Sequence, residues 1–448
     1  MKTDAGLTRR HFLQTCATTG AAATVAPWLM GQAPAAPRRR PPNILLISTD
    51  QWHAGAFSHL GSILVNTPHS DRIAQRSVHF QRAYAADPVC APARTSWITG
   101  RMPIEHGVIG NQNRVVPSMI DMGQWFGQHG YETAYFGKWH TPGRDPADSH
   151  DYNHGMHPAG QYDDTSVAQM ATSYLLNRNT RKPFMAHVAF MNPHDICQVS
   201  CFHTGQGNLP VDPEQLPPLP DNFLARPDEP QTLVRKVRNS PRRLQYKSWD
   251  DNDWRVYIWM YCRYCEMVDA AIGRVLDALD ASGEADNTLL VYTSDHGEGL
   301  GHHGLFTKAF MYESSASVPL YVSFPDRVQP GTNNESIPVS GIDLFPTFCN
   351  VAGIPIPPNL CGEDFLTQYH QGTPSREALV TSASFGGHMV RDDRYKLIRY
   401  NDDPTVQLFD LNTDPGETRN LAHEQPGRVA TLWRHAERFH ARLKPAQV

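Results

Sequence analysis

Apolar residues along this chain come in short unbroken runs, each closed by polar residues. The first is Asn43-Ile44-Leu45-Leu46-Ile47-Ser48-Thr49-Asp50, which ends on an acid. Residues 131–137 run into Lys138-Trp139-His140, and residues 183–191 into Asn192-Pro193-His194-Asp195. Residues 288–293 run into Ser294-Asp295-His296-Gly297. A run of this length without alternation marks a strand buried on both faces. Between the runs, helical spacing covers residues 70–77, 118–129, 165–179 and 254–280. Strands alternating with helices predict an α/β fold, with a mostly parallel central sheet flanked by helices. In such sheets ligands bind beyond the carboxyl ends of the strands. The pattern therefore predicts one site that gathers Asp50, Lys138, His140, His194, Asp295 and His296.

The texture changes twice. Residues 198–250 are rich in proline and arginine and read as an irregular insertion near the pocket. After residue 345 come short segments at 378–383, 387–391, 395–400 and 407–410, with a hairpin turn at Asp392-Asp393 and a last helix over 426–443. These predict a small C-terminal antiparallel sheet plus helix over 346–448, beside a catalytic α/β domain over 42–345. No internal repeat stands out.

The first 36 residues read as a leader. Thr8-Arg9-Arg10-His11-Phe12-Leu13-Gln14 fits the twin-arginine export pattern, and Ala33-Pro34-Ala35 fits a cleavage site. The Ala-rich run from Cys16 to Met30 is too short, and its side chains too small, for a secure membrane span. The expected location is periplasmic or secreted, in a bacterium. The chain carries a formal charge of −5. Losing Lys2, Asp4, Arg9 and Arg10 with the leader makes it more negative still, with no basic excess to hold nucleic acid. Of eight cysteines, Cys262 and Cys265 lie in a helical pattern without partners at zinc spacing and read as core thiols. An oxidising compartment leaves Cys349 with Cys361, or Cys197 with Cys201, open as disulfides.

The most telling stretch is Pro88-Val89-Cys90-Ala91-Pro92-Ala93-Arg94-Thr95-Ser96-Trp97-Ile98-Thr99-Gly100-Arg101. A helix beginning near Pro92 would put Cys90 and Arg94 on one face and present free N–H groups to an anion. The string C-x-P-x-R ending in Thr-Gly-Arg resembles the signature of the type I sulfatases, of the alkaline phosphatase-like superfamily. The resemblance extends over residues 42–425. Ile98 stands in place of the family's usual leucine.

The resemblance implies a formylglycine nucleophile made from Cys90 by a formylglycine-generating enzyme. It implies a divalent metal, calcium with manganese as the alternative, at Asp50, Gln51, Asp295 and His296 beside Cys90. Hard carboxylate and amide oxygens suit calcium, and the imidazole admits a softer ion. Arg94, Lys138 and Lys308 would neutralise the sulfate, with His194 as leaving-group acid and His140 as base. The implied activity is hydrolysis of sulfate monoesters, on a sulfated saccharide. Rival expectations are an aryl or alkyl sulfatase, a phosphonate monoester or phosphodiester hydrolase, and an inactive glycan-binding homologue. The phosphonate group is described with Tyr and Thr where this chain has Lys138 and His140, which favours sulfate. His53 and His302 stand where relatives commonly carry Arg and Glu.

Overall fold

Four strands form the floor of the molecule because their sequences leave no polar face to expose. They are β1 (Asn43–Asp50), β4 (Glu132–Lys138), β6 (Phe184–Pro193) and β7 (Thr288–Ser294), buried along their whole length. This computed structural model describes residues 40–62, 64–156, 160–198, 211–224, 227–240, 246–383 and 385–446. The twin-arginine segment and Cys201 lie outside the described residues.

β1 pairs in parallel with β6 on one side and β7 on the other, and β4 pairs in parallel with β6. The remaining strands of the sheet are shorter: β2 (Val78–Phe80), β5 (Tyr152–Met156), β8 (Leu320–Ser323) and β9 (Thr332–Asn334). The order is β5-β4-β6-β1-β7-β8-β2-β9. β8 runs antiparallel to both β7 and β2, so the sheet is mixed but mostly parallel. A two-stranded pair, β3 (Ala83–Tyr84) and β10 (Val339–Ser340), lies outside it.

The strand period of two divides the core. Leu45 and Ile47 of β1 pack with Val167 and Ala171 of one helix (Gly160–Asn177) and with Tyr261 and Cys265 of another (Asp251–Ala281). Ile44 and Leu46 face the opposite way, onto Trp97, Phe345 and Phe348. Each such apolar side chain contributes about 1.5–3 kcal/mol on burial. The five helices that matter below are α1 (Pro68–Arg76), α2 (Cys90–Thr99), α3 (Gly160–Asn177), α4 (Asp251–Ala281) and α5 (Pro426–His440). α4 starts at a capping box, in which Asp250 accepts from the Asp253 N–H. Cys262 and Cys265 are buried in its core face, as their spacing implies.

The C-terminal sheet is antiparallel, in the order β11 (Leu379–Ala383), β12 (Gly387–Arg391), β13 (Tyr395–Tyr400) and β14 (Gln407–Asp410). α5 covers one face through Leu432 and Ala436. The other face packs on Leu305, Phe310 and Tyr312. Lys396, fully buried, lies 2.8 Å from both Glu313 and Glu417 and ties this sheet to the preceding segment.

Three expectations need correction. α2 begins at Cys90, two residues before the expected start, because Pro92 falls in the first turn where no N–H partner is required. The insertion is not wholly irregular, since Pro213–Gln215, Gln231–Leu233 and Val234–Arg238 form short helical turns. Cys349 and Cys361 are separate buried thiols, and Cys361 donates to Glu105 at 3.1 Å. No helix among the described residues is long and apolar enough to cross a membrane.

Candidate active site

The pairing of β1 with β7 places Thr49 opposite Ser294, so the residues that follow each strand meet side by side. The chain turns sharply after Asp50, because Gln51 adopts φ 69°, a left-handed conformation rare for a residue with a side chain. Three contacts hold that turn. The Gln51 N–H donates to Asp295 Oδ1 at 3.0 Å, the Trp52 N–H donates to Ser294 Oγ at 2.9 Å, and the Tyr261 hydroxyl donates to the Gln51 carbonyl at 2.7 Å. Asp50 and Asp295 thereby face one another from adjacent strand ends, both fully buried.

α2 brings its N-terminus to the same place. Cys90 Sγ lies 3.2 Å from His296 Nε2 and 3.9 Å from Asp50 Oδ1. One helical turn on, Arg94 bridges the two carboxylates: Nη2 donates to Asp50 Oδ2 at 3.0 Å and Nε to Asp295 Oδ2 at 2.8 Å. Cys90 and Arg94 therefore address the two oxygens of the same Asp50 carboxylate, as residues four apart on one helical face should. Lys138, the last residue of β4, puts Nζ 2.5 Å from Asp50 Oδ2. Beyond β6, His194 Nε2 stands 3.9 Å from Asp50 Oδ1. His140 follows Lys138 by two residues, half-buried, at φ 48°.

The electrostatics follow from this packing. Burial works to raise the Asp50 pKa, but Lys138, His194, Arg94 and Lys308 outweigh it and hold the group well below its ordinary value. Burial and the charge of Asp50 lift Asp295 to about 6, against His296 and Arg94. Burial and Asp50 also oppose ionisation of Cys90, yet Lys138, Lys308 and His296 outweigh them and hold its pKa well below the ordinary thiol value. Burial, Lys308 and Lys138 together lower His194 to about 4. His296 moves the other way: burial opposes its charge, while Asp295 and Cys90 raise it.

The donor set suits a divalent ion. Ligand atoms of Asp50, Cys90, Asp295 and His296 all lie within 4.8 Å of one another, and all four residues are buried. The side chain of Gln51, next to Asp50 in sequence, has its oxygen accepting from Lys308 Nζ and its nitrogen donating to Glu298 Oε2 at 2.5 Å. Cys197 Sγ also touches this amide, 3.4 Å from its oxygen. Two carboxylates, an imidazole and an amide oxygen are hard or intermediate ligands, fit for calcium or manganese.

Sequence reasoning missed Glu298 and the tyrosines of α4. Glu298 is fully buried and accepts from Gln51, from the Tyr257 hydroxyl at 2.9 Å, and from the Thr307 and Leu300 N–H groups. His53 and His302, the two departures noted in the sequence, stack on each other with centroids 5.3 Å apart and planes 9° from parallel. Burial lowers their pKa values to about 4 and about 3. With Asn222 of the insertion they line a cavity of about 750 Å³.

Residues 42–354 match the family model described as Sulfatase. The chain belongs to the sulfatase family. A second model, N-sulphoglucosamine sulphohydrolase, C-terminal, matches residues 301–439. Among similar sulfatases, a Delta 4,5-hexuronate-2-O-sulfatase of Bacteroides thetaiotaomicron is 29% identical over 87% of this chain and 86% of its own length. An ulvan-active sulfatase of Formosa agariphila is 29% identical over 85% of this chain and 77% of its own. A solved 2-O GAG sulfatase superposes with a TM-score of 0.80 at 28% identity, over 90% of this chain and 92% of that one. The mixed, mostly parallel sheet with its small antiparallel C-terminal sheet is the sulfatase fold, and the protein is a sulfuric ester hydrolase.

Proposed function

We propose that this sulfatase hydrolyses sulfate monoesters of a carbohydrate, using formylglycine formed from Cys90. The observation that carries this reading is the position of Cys90, whose Sγ lies 3.2 Å from His296 and 3.9 Å from Asp50 at the N-terminus of a buried helix. Carbohydrate as the substrate class is supported by the named activities of the relatives, a hexuronate sulfatase and an ulvan-active one.

Asp50, Gln51, Asp295 and His296 would hold one calcium or manganese ion, which supplies positive charge against the nucleophile and the sulfate. Formylglycine supplies, when hydrated, two hydroxyls on one carbon, one to attack sulfur and one to let sulfate leave without a separate water. The remaining work falls to this chain's own side chains. Arg94 fixes Asp50 and Asp295 in place. Lys138 and Lys308 neutralise the incoming anion, whose repulsion of the nucleophile would otherwise raise the barrier. His194 gives a proton to the departing alcohol oxygen, and His140 takes the proton whose loss expels sulfate. Burial and the two lysines lower free His194 to about 4. A sulfate anion beside it pulls the other way, by ~4 kcal/mol at about 4 Å and an effective dielectric near 20.

Export by the twin-arginine route delivers the enzyme folded, with position 90 already converted by a formylglycine-generating enzyme. The test is sulfate release from a panel of defined sulfated saccharides, a nitrophenyl sulfate and a phosphonate monoester, with matured protein. Release from at least one saccharide, abolished by Cys90→Ala with the fold retained, is expected. Turnover of the phosphonate alone, or unchanged release by Cys90→Ala, overturns the reading.

A further inference from the structure

Gln51 is an amide set among charged groups and the Cys197 thiol, which touches both its ends, and those ends are of nearly equal size. Only its oxygen can serve a cation, and rotation by half a turn would present the NH₂ group instead. Its two neighbours decide the matter. Glu298 is a carboxylate at the nitrogen, 2.5 Å from Nε2, and a carboxylate can only accept. Lys308 is an ammonium at the oxygen, and an ammonium can only donate. Burial works against the charge of Lys308, while Cys90, Cys197, Asp50 and Asp295 favour it.

Glu298 is built to hold this position. It is fully buried. Its other oxygen accepts from the Tyr257 hydroxyl at 2.9 Å and from the N–H groups of Leu300 and Thr307. With those donors fixed by α4 and by the 300–307 loop, the carboxylate has one oxygen left for Gln51. The backbone of Gln51 is pinned independently, through Asp295 and Tyr261. What Glu298 adds is the rotational state of the side chain alone.

We propose that Glu298 is a positioning residue that fixes the Gln51 amide oxygen-inward, and that the ion affinity of the site depends on it. This rests on the reading of Gln51 as an ion ligand. The test is isothermal titration of chelator-stripped protein with calcium chloride and with manganese chloride. Glu298→Gln, nearly isosteric, presents an amide that can donate as well as accept, and leaves Lys308, which an arriving ion would displace, as the one charged neighbour selecting the orientation of Gln51. Its Kd should weaken by about 10–100-fold, the usual effect of losing the partner that orients a ligand. The decisive variant is the exchange Gln51→Glu with Glu298→Gln. A carboxylate at 51 offers an oxygen whichever way it turns, and the amide now at position 298 can donate to it, so the exchange should recover most of the lost affinity.

A merely structural role for Glu298 predicts no such recovery. Should Glu298→Gln fail to fold, the exchanged pair is still expected to fold and bind, and its failure to bind would overturn the proposal. Wild-type protein that titrates with neither ion removes the ion-ligand reading and this inference with it. Wild-type binding with an unchanged Kd in Glu298→Gln, or additive losses in the exchanged pair, removes the inference alone.

Discussion

Removing the Arg94 guanidinium should be costly to the fold as well as to catalysis. Arg94 is 2% exposed, and its two carboxylate partners are 0% exposed. Arg94→Ala leaves Asp50 with Lys138 at 2.5 Å, but leaves Asp295 with the Gln51 and His296 N–H groups and, as its ion-pair partner among the described residues, the His296 ring at 3.6 Å. Stripping one partner from a buried ion pair costs about 3–5 kcal/mol, chiefly because the other charge stays behind in a medium that cannot solvate it. For about 400 folded residues the unfolding entropy is roughly 0.85 kcal/mol/K, so melting in chelator should fall by about 4–6 °C. Arg94→Lys keeps the charge but loses the fork that spans two carboxylates, and should fall between wild type and alanine. A divalent ion supplies the missing charge, so saturating calcium should narrow the gap between variant and wild type. Turnover should drop by about 10²–10³-fold, as for loss of one preorganised charge. The assay is thermal unfolding by circular dichroism with and without calcium, beside initial-rate kinetics. An unchanged melting temperature in chelator would show that the pair is not the uncompensated charge the geometry implies.

His194→Ala should be slow on sugar sulfates, whose alcohol needs a proton, and much less impaired on a nitrophenyl sulfate. His140→Ala should instead accumulate enzyme carrying sulfate at position 90, seen by mass spectrometry of quenched turnovers; equal damage on both substrates and no adduct would refute the two roles. Elemental analysis of active enzyme should find about one calcium or manganese per chain, whereas two zinc ions would point to phosphatase-type chemistry. Inorganic sulfate and calcium should tighten each other's binding by the same factor, measured by titrating each in the presence of the other. Independence of the two would argue that the lysines do not share the site's charge.

The parts of the fold that could be read from sequence are those where burial leaves a plain mark. β1, β4, β6 and β7 are buried throughout, so their composition is unbroken and apolar, and their polar ends name the site. β5 reads Tyr152-Asn153-His154-Gly155-Met156 and lies at the sheet edge, where no hydrophobic face is demanded. β2, β8 and β9 are three or four residues long, too short for a period to show. The antiparallel course of β8 depends on its pairing with β7, which no local signal carries. Among site residues, Asp50, Asp295 and His296 announce themselves by closing strands. Glu298 does not, because an acid between two glycines looks like any loop acid until its burial is known. Gln51 was legible only through the resemblance, since an amide after an acid has no signature of its own.

The charges of the centre explain why these residue types occur together. Asp50 and Asp295, with a Cys90 thiol whose surroundings favour its ionised form, stand against Arg94, Lys138 and Lys308, packed with little access to water. Without ion or substrate the cluster is close to neutral, with Lys138 lying against Asp50 and Lys308 against Gln51, where a cation would otherwise stand. Conversion of Cys90 to an aldehyde would take away a group that can carry negative charge, and a divalent ion would add two positive ones. The lysines, displaced by that ion from Asp50 and Gln51, would then be the cations nearest the incoming group, and a sulfate ester is the anion that answers them. On this argument maturation, ion loading and substrate capture act in one direction, each step raising the positive charge that the next negative group requires.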